Sequence, residues 1–89
     1  MEKIIELNYK ATVDRGLITP KTGIDAFLNK IDQELAEFKH EVLHGTDAML
    51  NEELADIILV FLAMAKHFNI DIEEELKNKI RINLKRANK

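Results

Sequence analysis

Two acidic pairs, Glu34-x-x-Glu37 and Glu53-x-x-Asp56, carry the residue types and spacing most suited to chemistry. Glu37 and Glu53 each lie 8 residues from Gly45, and Glu34 and Asp56 each lie 11. A chain that reverses near Gly45 brings the four carboxylates level with one another. Carboxylates at one height repel unless positive charge lies between them, and a divalent cation held by oxygen ligands supplies it. Glu34, Glu37, Glu53 and Asp56 are therefore candidate metal ligands. The competing reading is a solvated helix face, because Glu-x-x-Glu is common on surfaces. Against it stand the matched offsets and the place of Glu34 at the edge of an apolar stripe, where a carboxylate is disfavoured unless paired or coordinated.

Four helices must position these residues. The first covers roughly residues 2–15, and Gly16, Thr19, Pro20 and Gly23 mark a loop after it. Thr22 is placed to cap the second helix, with Asp25 in an imperfect capping box. That helix carries Ile24, Phe27, Leu28, Ile31, Leu35, Phe38 and Val42 at helical spacing. It should end near His44, with Gly45 as its C′ residue. Thr46, Asp47 and Asn51 are all plausible caps for a third helix running to about Phe68. Asp71-Ile72-Glu73-Glu74 opens a fourth, which continues towards Ala87 with Ile72, Leu76, Ile80 and Leu84 on one stripe.

At about 100° per residue, the acids of helices two and three fall on same-sign flanks of their apolar stripes. Two antiparallel helices facing each other bring such flanks to one side, so the four acids line one groove. The level matching requires helix three to start before Asn51. Helix three is also apolar on all sides from Ile57 to Ala65, and such a helix must be covered all round. Leu59 and Leu62 lie on its back, which predicts cover by a second subunit. On helix four, Lys79, Asn83 and Arg86 share one flank at i, i+4, i+7. An ammonium, an amide and a guanidinium in a row suit phosphate oxygens, and they also suit an ordinary cationic helix end.

Composition excludes several classes. The chain has 89 residues, 46% hydrophobic and 33% charged, with net charge −3. These values predict a single domain over residues 1–89, of a size that favours oligomerisation. The absence of Cys rules out disulfides and thiolate zinc sites. Mild acidity argues against stable nucleic-acid binding, although residues 77–89 are locally basic. No secretory signal or membrane-spanning run is visible, so a cytoplasmic protein with no membrane partner is expected. Glu37-x-x-His40 and Glu41-x-x-His44 match the Glu-x-x-His element of di-iron bundles. Both lie on one helix, and helix three supplies no second copy. His67 reads as a surface histidine, and the Phe residues read as core.

Glu34-Leu-Ala-Glu37, Glu53-Leu-Ala-Asp56-Ile-Ile, Asp71-Ile-Glu-Glu and Lys79-x-x-x-Asn83-x-x-Arg86 together resemble the MazG-like all-α nucleoside triphosphate pyrophosphohydrolases. The resemblance extends from about Ile24 to Arg86. It implies an all-α fold, a four-helix chain forming an antiparallel bundle completed by oligomerisation as a homodimer or homotetramer. It implies Mg2+, or Mn2+ in its place, on Glu34, Glu37, Glu53 and Asp56, with one glutamate orienting or deprotonating the attacking water. It places Lys79, Asn83 and Arg86 near the phosphates of a nucleoside triphosphate, split into monophosphate and pyrophosphate. A phosphoribosyl-ATP or dUTP/dCTP pyrophosphatase of the same superfamily and a non-catalytic helical interaction module are the alternatives. Gln33 departs from the Glu-Glu-x-x-Glu signature at its first position. Helical angle aims it away from the apolar stripe, so its change is expected to touch at most an outer contact. No base-stacking residue stands out.

Overall fold

The computed structural model describes residues 1–88 and, among them, four helices and no strand. They are α1 (Glu2–Asp14), α2 (Ile24–His44), α3 (Asp47–His67) and α4 (Ile72–Ala87). The third helix is the hub: α1, α2 and α4 all pack against it. Its central place agrees with its all-round apolar sequence, the property that demands cover on several sides.

The α2/α3 hairpin is set by a two-residue connection. Thr46 caps α3, its hydroxyl accepting from the Met49 N–H at 3.2 Å, so α3 begins before Asn51. Gly45 ends α2 in extended backbone (φ −92°, ψ 174°), not in the left-handed C′ conformation expected of it. The reason for glycine is space: a Cβ here would fall on the Glu41 carboxylate and close to the Glu41 carbonyl oxygen. The start of α2 also differs from expectation. Gly23 is its N-cap with no side-chain bond, and the Thr22 hydroxyl instead accepts from the Thr19 N–H at 2.9 Å, tightening the loop.

Gly16, at φ 75°, reverses the chain after α1 and sends Ile18 into the core. Ile18, Phe27 and Ala63 form that core, with Tyr9 and Met64 packed on it. Asn69, the one non-glycine residue with positive φ among those described, ends α3, where the Ile70 N–H reaches the Ala65 carbonyl at 2.8 Å. Asp71 caps α4 through the Glu74 N–H at 3.2 Å.

The folded chain exposes 6973 Å². A compact monomer of 10.3 kDa exposes about 5,400 Å². Part of the apolar exposure lies on two surfaces. One is the hairpin flank bearing Leu28, Leu35, Leu54, Ile58 and Phe61, and the other is the Leu76, Ile80 and Leu84 stripe of α4. The residues at the back of α3 behave otherwise than expected: Leu62 is buried and Leu59 half-buried within the chain. Asn8 of α1 donates its side-chain amide to the Leu59 carbonyl at 2.8 Å, so α1 covers that side. Uncovered surface on α3 lies at Leu54, Ile58 and Phe61 instead.

Candidate metal centre and adjoining cavity

Glu34 and Glu37 stand one turn apart on α2, and Glu53 and Asp56 one turn apart on α3. The hairpin brings Glu34, Glu37 and Glu53 together, each offering a carboxylate oxygen within 4.8 Å of the others. Asp56 stands outside that trio but close enough for its charge to act on Glu53. It shares with Glu34 the wall of a cavity of about 530 Å³. The groove deduced from helical angles is thus present, with three members tight and the fourth beside them.

Glu34 is buried, 7% exposed, while its neighbour Glu53 is half-buried. One oxygen of each, Oε2, is shielded from solvent and has no hydrogen-bond partner. A buried carboxylate oxygen without a partner is costly. A hard cation between these oxygens would supply the missing partner, and oxygen-only ligation suits Mg2+. The residues present therefore fit the metal that the sequence reading expects.

Charge is divided unequally between the two helices. Burial pushes Glu34 upward, but the Lys30 ammonium at 2.9 Å outweighs it, with hydrogen bonding from Glu53 and Glu37, and holds Glu34 below the usual carboxylate range. Glu53 has no such cation. Burial first, then hydrogen bonding to Glu34 and the charges of Glu34, Glu37 and Asp56, pushes it up to about 7. Without a metal, Glu53 is the carboxyl that holds a proton for the cluster.

Lys79, Asn83 and Arg86 are exposed on α4 and line no part of the acid-walled cavity. The cavity instead presents Arg15 from the end of α1 and Lys30 and Gln33 from α2. Gln33 therefore faces the cavity, contrary to its expected outward aim. No helical period could have placed Arg15 there, since its position depends on how α1 packs against α3. Lys30 was legible as an i, i+4 partner of Glu34. The histidines of the di-iron pattern do not join the acids; the His40 and His44 rings lie 4.8 Å from each other on α2.

His67 is no surface residue. Its Nε2–H donates to the Thr22 carbonyl at 2.7 Å, which leaves Nδ1 to accept from the Tyr9 hydroxyl at 2.8 Å. Its ring lies 5.1 Å from that of Phe27 and 5.0 Å from that of Phe68. Phe27 is core, whereas Phe61 and Phe68 are substantially exposed, so the Phe positions divide.

A hairpin of two long helices with paired acids at matched heights defines an all-α domain with a clustered acidic site. Compared with known families, residues 23–89 match the MazG-like family, and the chain belongs to it. No curated protein and no solved structure matches the chain. Among the described residues, no helix is long and apolar enough to cross a membrane.

Proposed function

We propose that the protein is a Mg2+-dependent nucleoside triphosphate pyrophosphohydrolase, converting a (d)NTP and water into the monophosphate and pyrophosphate. The observation that carries this reading is the Glu34/Glu37/Glu53 cluster, with two shielded oxygens lacking partners, in a chain of the MazG-like family. Family membership supports a nucleotide-pyrophosphatase type of domain, and the cluster supports its metal dependence.

Glu34, Glu37, Glu53 and Asp56 would hold the metal. Bound there, it would draw charge from the phosphate oxygens and make phosphorus a better target for water. Glu34, kept ionised by Lys30, is a permanent anion of the site. One glutamate of the cluster would orient the attacking water or take its proton. The α–β phosphoric anhydride bond breaks, its electrons leave on pyrophosphate, and the water oxygen stays on the α-phosphorus.

A second copy would cover the two apolar surfaces; the excess over a compact monomer, about 1,600 Å² per chain, exceeds the roughly 800 Å² that each partner of a standard interface contributes. Lys79, Asn83 and Arg86 would then act across such an assembly, on α4 approaching another chain. The primary test is a panel of (d)NTPs with Mg2+, scored separately for pyrophosphate and phosphate release. Pyrophosphate with equimolar monophosphate is the expected outcome. No turnover on any nucleotide, with a melting temperature indifferent to Mg2+, would reject the reading.

A further inference from the structure

The cavity opens onto the acidic cluster because Glu34 and Asp56 form part of its wall. Two cations share that wall. Lys30 is paired with Glu34, whereas Arg15 forms no ion pair among the described residues. Ile18, Phe27 and Ala63 supply an apolar floor continuous with the core. Thr12 completes the wall from α1. Its hydroxyl donates to the Asn8 carbonyl at 2.8 Å, so its oxygen lone pairs remain as acceptors. Thr12, Arg15 and Ile18 all precede the segment that matches the family, residues 23–89.

We propose that this cavity seats the substrate, with Arg15 and Lys30 of the same chain as its phosphate-binding cations and the Ile18–Phe27–Ala63 floor under its nucleoside. The assignment rests on the pyrophosphohydrolase reading for the identity of the substrate. Its orientation follows from order along α2. Glu37, Glu34, Lys30 and Phe27 succeed one another at intervals of about 5 Å. A ligand laid along this helix meets carboxylates, then an ammonium, then an aromatic floor. A nucleoside triphosphate presents the complementary sequence of metal-held phosphates, remaining phosphate and apolar base. The guanidinium fork of Arg15 matches phosphate oxygens, and it has no competing carboxylate to leave. Thr12 lines the cavity, and its hydroxyl oxygen can accept from a base N–H. The cations of α4 line none of this cavity, so the same-chain pair is the nearer source of positive charge.

Titration calorimetry in Mg2+, with inorganic tripolyphosphate and separately with a (d)NTP, tests the assignment without requiring turnover. Wild type should bind both. Arg15→Gln, which breaks no ion pair among the described residues, should weaken tripolyphosphate roughly 10- to 100-fold. Lys79→Gln, on the α4 flank that would act across an assembly, should weaken it less than Arg15→Gln does. Thr12→Val should weaken the (d)NTP and spare tripolyphosphate. The proposal is overturned if wild type binds no tripolyphosphate, if Arg15→Gln binds like wild type, or if the larger loss belongs to Lys79→Gln. Equal (d)NTP affinities of Thr12→Val and wild type would remove the nucleoside from the cavity. Arg15-dependent binding without turnover would reject the hydrolase and keep the seat; turnover indifferent to Arg15 would do the reverse.

Discussion

The two ends of the α2/α3 hairpin solve the problem of buried polarity in opposite ways. At the end away from the turn, His67 enters an aromatic cluster and both its ring nitrogens find partners, on Thr22 and Tyr9. At the end near the turn, Glu34, Glu41 and Glu53 each keep a shielded oxygen with no partner. One end is a finished core; the other gathers carboxylates, of which Glu34 is paired with Lys30 and Glu53 has no such cation. Core packing and the acidic cluster are thus separated along a single pair of helices, and an unsatisfied cluster is tolerated because the opposite end holds the helices together.

The largest expected effect tests the finished end. Phe27→Ala removes a 4%-exposed side chain from the core and should cost about 3–5 kcal/mol in urea unfolding. A loss below about 1 kcal/mol would show that the aromatic end does not anchor the hairpin. At the other end, Glu53→Gln should lower turnover about 100-fold or more, and with it the Mg2+-induced rise in melting temperature. The same variant should be no less stable than wild type in EDTA, because it removes a repelled carboxyl. Retained turnover would take Glu53 out of the metal site.

His67→Leu comes next. It strands the Thr22 carbonyl and Tyr9 hydroxyl and should cost about 1–3 kcal/mol, measured by the same unfolding experiment. A smaller effect belongs to pH. Glu53 is raised from 4.5 to about 7, so the folded state binds the extra proton between those values. Its contribution is complete below pH 4.5 and disappears as pH rises through 7. Glu34 is shifted the other way, so its contribution is retained above 4.5 and lost only on acidification. In EDTA the melting temperature should therefore fall between pH 5.5 and 8, and Glu53→Gln should flatten that slope. Mg2+ affinity should rise over the same interval, as metal and proton compete. The smallest change is Thr46→Ala, expected to cost about 1 kcal/mol as the cap of α3 is lost.

Much of this was legible in the sequence because it depends on counting. Helix number, the two acidic pairs and their common side of the hairpin follow from periodicity and offsets. What escaped depends on how helices meet. The sequence period of α3 marks Leu59 and Leu62 as turned away from the main stripe, but it cannot say that α1 lies there to cover them. His67 has the spacing of an isolated polar residue, and its partners lie 45 and 58 positions away. Arg15 and Gln33 enter the cavity wall only once α1 is folded against α3. The same limit applies to α4: its cations share a flank by count, yet that flank stands apart from the acids in the single chain.

The two-residue connection at Gly45 and Thr46 makes the hairpin a gauge. The relative height and angle of the acidic pairs are set by the number of residues between them. One residue added between Thr46 and Glu53 would turn Glu53 and Asp56 through about 100° and shift them about 1.5 Å, out of phase with Glu34 and Glu37. Such a chain would still contain every residue of the site and could still fold into helices. Substitution can adjust this site gradually, whereas a change of length in that segment would dismantle it in one step.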